Sequence, residues 1–427
     1  MYTLAFIFGL CYHSVKENKE IFNMQSNPYK RAKIACYSAY FTMASVFCLP
    51  PLLFVTFYET YGISWSLLGT LVLVNFLTQL GIDLIFSFFS KYFNVKIIVR
   101  IMPLITATGM LLYALTPFLL KGNEFFGMLA ATIVFSVAAG LSEVLLSPMI
   151  AAMPAKNPQR EMSLLHSIYG LGIFTIIIIS ALFIKFVGAQ YWMYLALFFA
   201  ALPILTAVLF MCSPIPDMTF GESGEKAEKS TRRIIGVGLC VLCIFFGACA
   251  EVTMTNWVSS FMETEFQMDK MLSDVLGMAG FAIVLALTRM GYAKWGKNIW
   301  NMLMVGMVGA VVCYLVAGLC SNSIVVFIAC VLTGVFTAML WPGTLIFMEE
   351  KMPNLGVAAY ALMAAGGDFG ASAAPQLMGV IADVANFKVG MVVSAIFPIL
   401  GIVVLLIMRV FFKKPDSMPL IKTNPVL

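Results

Sequence analysis

Charge is scarce in this sequence: Asp, Glu, Lys and Arg make up 11% of its 427 residues, against about 25% in a soluble domain. Histidine occurs only twice. Of the two, His166 has no H-x-x-x-H partner, and no glycine-rich phosphate loop appears, so neither a metal centre nor a cofactor is expected. Ten cysteines are present, but most lie inside apolar blocks, where they act as small hydrophobes. Cys240 and Cys243 form a C-x-x-C without a second pair or a nearby histidine, which reads as helix packing. No basic, aromatic-interleaved patch accompanies the net charge of +5, so a nucleic-acid partner is excluded. No Asn-x-Ser/Thr sequon occurs, which leans toward a bacterial cell membrane.

Apolar residues, by contrast, are abundant. They make up 61% of the chain, about 260 positions, and twelve bilayer-spanning helices at about 20 residues each would absorb about 240 of them. The apolar residues run as blocks rather than alternating every second residue, which excludes a membrane β-barrel. The expected fold class is all-α and polytopic, with twelve transmembrane helices in a lipid bilayer. The polar breaks divide it into a cytoplasmic tail over 1–33, six helices over 34–212, a cytoplasmic linker over 213–233, six more over 234–412 and a second tail over 413–427. With both termini placed in the cytoplasm, 22 of the 26 Lys and Arg residues fall on cytoplasmic segments, which sets the orientation. Residues 1–23 fit this plan poorly. Met1–Tyr12 is apolar yet too short to span, and Met24 precedes an ordinary basic tail, so Met24 is expected to be the natural start.

The two halves repeat. Gly140 and Pro148 in span four stand eight residues apart, as do Gly334 and Pro342 in span ten. Phe57-Tyr58-Glu59-Thr60 closes span one, and Phe261-Met262-Glu263-Thr264 closes span seven. Two pseudo-symmetric six-helix bundles are therefore expected around an axis along the membrane normal.

Together with this 6+6 plan, the turns after spans two and eight resemble those of the major facilitator superfamily. Arg289 with Ala293-Lys294-Trp295-Gly296-Lys297 is similar to that family's basic cytoplasmic turn without its acid. Ser90-Lys91-Tyr92-Phe93-Asn94-Val95-Lys96 is a poorer match with Asn at the glycine position. Within the superfamily, three stretches resemble the fucose-permease-like sugar transporters. They are Gly140-x-x-Glu143 with Pro148, Gly247-Ala-Cys-Ala-Glu251 with Asn256-Trp257, and Gly366-Gly-Asp368-Phe-Gly370 with Pro375. The resemblance implies a sugar:proton symporter in which Glu143 takes part in coupling. The family's partner aspartate in span one has no counterpart here.

The residues themselves point the same way. Asp83, Glu143, Glu251 and Asp368 are carboxylates inside apolar spans, where an ionised side chain costs about 2.5–3.5 kcal/mol at the helix centre. The cations available to them, Arg289 and Arg100, sit near the cytoplasmic edge. Acids that outnumber their partners can load a proton or hold sodium, and all four are ion-coupling candidates. Substrate-binding candidates are the polar stripe Asn75, Gln79 and Asp83, expected to face a cavity or span eleven, the run Glu251, Thr255, Asn256 and Trp257, and Trp341. Asp83 could pair with Lys91 or Arg289. Arg289, Lys91, Lys294 and His166 are candidates for gating at the cytoplasmic turns. The expected function is secondary active import of a small polar solute, a sugar, coupled to protons or sodium, by a monomer in the cell membrane. A proton-driven drug or metabolite efflux antiporter is the alternative, and an enzyme is not expected.

Overall fold

The computed structural model describes residues 29–89, 92–154, 158–216, 231–295, 298–352 and 357–413. The expected start at Met24 and the middle of the expected linker lie outside them.

Twelve helical units follow one another: α1 (Lys30–Leu52, continued by Phe54–Tyr61), α2 (Trp65–Phe89), α3 (Val95–Leu119), α4 (Glu124–Ala152), α5 (Pro158–Phe186) and α6 (Trp192–Met211). Then come α7 (Thr231–Phe266), α8 (Lys270–Leu272, through a π-helical Ser273–Ala279, to Gly280–Trp295) and α9 (Ile299–Leu319). The last are α10 (Ser323–Thr337 and Leu340–Lys351), α11 (Val357–Val384) and α12 (Phe387–Ser394 and Ile396–Lys413). Among the described residues, eleven stretches are long and apolar enough to cross a membrane. The helix not among them is α11, which carries Gly366, Gly367, Asp368, Gly370, Gln376 and Asp383. The chain is a multi-pass membrane protein.

Proline places several of the breaks. Pro50 and Pro51 stand just before Leu53, where α1 is interrupted. In α10 the break at Ala338–Met339 lies one turn before Pro342. Pro342 has no N–H to give the carbonyl four residues back, so the Ala338 oxygen is left without a helical donor. Asn94, Asn298, Asn322 and Asn386 cap α3, α9, α10 and α12 through their side chains.

An even number of crossings returns the chain to the face where it began; this is called the terminal face here, and the opposite one the distal face. The apolar core is divided differently at the two. Toward the terminal face there are two separate clusters. One holds Cys36, Met149, Leu165 and Phe210, and the other Cys240, Leu303, Met348 and Met408. Toward the distal face a single cluster joins Phe54, Trp65 and Trp192 to Trp257, Phe261 and Phe387. Contacts between α1–α6 and α7–α12 run mainly through α2–α11, α5–α8 and α1–α7. The molecule is welded at the distal face and cleft at the terminal one.

Candidate functional site

Glu143 stands on the wall of this cleft. Gly140, one turn earlier, lets α4 approach α2 until a β-carbon there would lie 3.0 Å from Ile82 Cβ and 3.1 Å from Gln79 Cα. The Glu143 carboxylate lies within electrostatic range of Asp83 of α2, Asp368 of α11, Tyr40 of α1 and Tyr169 of α5. Glu143 is exposed although it lies far inside a span. A group surrounded by protein yet open to water is what a crevice wall presents. Among the described residues no hydrogen-bond or ion-pair partner of Glu143 is found. Tyr40 is held by Ser147, oxygen to oxygen at 3.1 Å, and its ring meets Tyr169 edge-on at 6.4 Å.

Asp83 of α2 and Asp368 of α11 meet carboxyl to carboxyl across the boundary between the helix groups. One Asp83 oxygen, Oδ1, is buried with no hydrogen-bond partner. The sequence pairs Asp83 with Lys91 or Arg289; Lys91 lies outside the described residues, and Arg289 is engaged elsewhere. Two carboxylates in contact repel unless a proton lies between them.

Arg289, a gating candidate by sequence, reaches from α8 to two other helices. Its Nη2 donates to both Glu251 oxygens, at 3.0 and 3.1 Å, and its Nε donates to the Ala338 carbonyl at 2.8 Å. That carbonyl is the one Pro342 releases, so a single guanidinium joins α8, α7 and the break in α10. Glu251, a candidate for ion coupling and substrate binding, is thereby taken up in an ion pair. Next to this junction the Trp341 indole lies flat on α11, occupying the place where a β-carbon on Gly367 would stand 2.3 Å from its ring. Trp341 is half-buried.

The remaining polar candidates are placed otherwise than expected. Asn75 and Gln79 turn toward α4 rather than toward a cavity or α11. Gln79 Nε2 donates to Asn75 Oδ1 at 2.9 Å, and Ser136 Oγ of α4 donates to the same oxygen at 2.7 Å. Both amides are buried, because this closed three-residue network satisfies them within the α2–α4 contact. Trp257 is fully buried in the distal seal, between Phe54 at 5.0 Å and Phe387 at 5.5 Å, and its Nε1 donates to the Pro375 carbonyl at 3.0 Å. Asn256 and Thr255 bond back to the Val252 and Glu251 carbonyls of their own helix. These two bond within their own helix, and Trp257 is part of the distal seal. The side chains of His166 and Lys294 are outside the described set.

Two acids that the sequence reading passed over are prominent. Asp274 is fully buried in the π-helical part of α8, where Lys270 reaches it at 2.7 Å and Glu263 at 3.3 Å, while Ser259 donates a short hydrogen bond to it. Asp383 closes the distal end of α11 on to α2. Both lie within apolar stretches but close to their ends, where an acid is easily mistaken for loop.

The family model of the Major Facilitator Superfamily matches residues 35–375. No curated protein matches the chain. Among solved structures, a bacterial homologue of the human lysosomal transporter Spinster, inward-facing and occupied, is similar with a TM-score of 0.73 at 13% identity, covering 91% of this chain and 98% of that one. A D-xylose–proton symporter gives 0.73 at 14% identity, covering 90% and 98%. A variant of the E. coli fucose:proton symporter gives 0.59 at 15%, covering 91% and 100%.

Proposed function

The chain belongs to the Major Facilitator Superfamily, and we propose that it moves a small polar solute, a sugar, across the cell membrane in symport with protons. The observation that carries this reading is the acid-lined cleft: Glu143 open to water with no cation on it among the described residues, beside Asp83 and Asp368 held face to face from opposite helix groups. A proton on this cluster removes repulsion across the α2–α11 contact, and its departure restores it. Proton occupancy is thereby tied to the separation of the two groups, which is what coupling requires. The groups over 34–212 and 234–412 rock as two bundles, and the positive-inside distribution places the terminal face, with both tails, in the cytoplasm. The conformation is then the one open to the cell interior.

Solute recognition falls to the wall facing Glu143: Tyr40, Tyr169, Trp341 and the Arg289–Glu251 pair offer ring faces, hydroxyls and both donors and acceptors. Among the described residues the charges on this wall sum to a negative cleft, which favours neutral or cationic solutes over anions. A cationic solute exchanging against protons at Glu143 is the efflux reading, supported by that same exposed acid.

Reconstituted vesicles under an imposed pH gradient test both readings. Uptake of a monosaccharide with simultaneous proton entry upholds symport. Movement of lipophilic cations against proton flow upholds antiport, and sugar uptake driven only by sodium overturns proton coupling.

A further inference from the structure

A helix opens with four N–H groups that have no partner within it. At the start of α2 the local chain serves two of them: Ser64 Oγ accepts from Leu67 N at 3.4 Å and the Ser64 carbonyl accepts from Leu68 N at 3.0 Å. The amides of Trp65 and Ser66 are left. Both are taken by one carboxylate from the other helix group, Asp383 of α11, with Trp65 N donating to Oδ1 at 2.8 Å and Ser66 N to Oδ2 at 2.7 Å. A negative charge held bidentately at a helix N-terminus gains from both the hydrogen bonds and the helix dipole.

The surroundings bring the two helices together at this point. A β-carbon on Gly379 would stand 2.4 Å from the Trp65 carbonyl, and one on Gly69 would stand 3.1 Å from the Pro375 carbonyl and from Gln376 Cα. The Trp65 ring stacks on Tyr58 at 4.3 Å and meets Phe387 at 4.9 Å and Trp257 at 6.1 Å. The aromatic contacts are non-directional, whereas the Asp383 cap exists at one register only.

We propose that Asp383 is the latch of the distal gate: a helix cap supplied across the boundary between the bundles, made only while the distal mouth is shut. The proposal rests on the reading of the protein as an alternating-access transporter. When the mouth opens, Asp383 and the two amides pass to water, so the strength of the cap sets the balance between distal-closed and distal-open states.

Spin labels on cysteines placed at Lys121 and Ser321, exposed positions in distal connections of opposite bundles, report this balance, with Cys11, the exposed Cys212 and the partly exposed Cys320 replaced by Ser. Electron–electron distance measurement on the full chain is expected to show a longer component that grows about fivefold in D383A, the effect of losing a typical N-cap. D383N retains one acceptor and should fall between D383A and the parent. A distance distribution unchanged in D383A, with or without a lower melting temperature, overturns the latch. If D383A does not fold, D383N decides alone, since an unchanged distribution there also overturns it. Absence of solute flux in vesicles, by contrast, counts against the transport reading and leaves these distances to speak for themselves.

Discussion

Arg289 and Glu251 form an ion pair whose purpose is visible only with a third partner, the Ala338 carbonyl that Pro342 leaves free. The pair is partly open to water, with the arginine side chain 39% exposed and the glutamate 17%. Its Coulombic worth is correspondingly screened. What it adds is position, since it fixes the bend of α10 against α7 and α8 beside the cleft.

The first prediction follows from that geometry. Arg289→Ala leaves both Glu251 and the Ala338 oxygen unserved, whereas Glu251→Ala leaves Arg289 still bonded to α10. The arginine change should therefore be the more destabilising of the two. A double-mutant cycle read by thermal unfolding in detergent should give a coupling of about 1 kcal/mol. Additive losses would show that the pair is incidental.

Glu143 has no hydrogen-bond or ion-pair partner among the described residues, so Glu143→Gln should leave folding and the melting temperature within about 0.5 kcal/mol of the parent. Proton-driven accumulation should be abolished, because the amide cannot carry a proton across the cycle, while exchange of labelled for unlabelled solute continues. Undiminished accumulation would transfer the coupling role to Asp83 and Asp368.

The fold was largely legible because insertion into lipid imposes a composition on the chain: apolar blocks of spanning length announced the helices, and polar breaks marked their ends. The site was legible only in part. Glu143, Asp83 and Asp368 stood out because an acid in hydrocarbon is costly wherever it points. Which way a polar residue points was not legible: Asn75 and Gln79 form a stripe on α2 that fits a cavity as well as it fits Ser136. Pairings between distant positions were hidden too, because nothing near residue 251 foretells an arginine at 289. Asp274 and Asp383 escaped notice because they sit where a span grades into a loop, and only the folded chain shows that each is engaged by a neighbouring element.

Asp83 and Asp368 give the third prediction. An amide can donate where a shared proton would lie, so Asp368→Asn should keep the α2–α11 contact intact. It should also uncouple that contact from protons. Downhill solute flux, measured across a series of pH values, should become flatter with pH than in the parent. A parent-like pH profile in the variant would remove the pair from the coupling path.

The buried cluster in α8 yields a prediction of stability rather than transport. Removing Asp274 leaves Lys270 with the Glu263 carboxylate at 3.3 Å and the Ser259 hydroxyl at 3.2 Å. Breaking a buried pair from one side typically costs about 3–5 kcal/mol, so Asp274→Ala should lower the melting temperature sharply. Removing both charges by Lys270→Met with Asp274→Leu should recover much of the loss. A double variant as unstable as the single one would show that the cluster holds α8 by more than charge balance.

The last prediction concerns packing between α9 and α10. A β-carbon at Gly309 would stand 2.1 Å from a ring carbon of Phe336, closer than any side chain tolerates, so Gly309→Ala must displace the ring or part the helices. Overpacking of this kind costs about 1–3 kcal/mol. Gly238 in α7 is the control, since nothing lies within 4 Å of its missing β-carbon. There alanine should be neutral or stabilising by up to about 1 kcal/mol, because it restores helix propensity without a clash. Thermal unfolding of the two variants side by side checks both signs. Equal melting temperatures would mean that α9 and α10 yield at this contact, and that their close approach at Gly309 is a consequence of the fold rather than a condition for it.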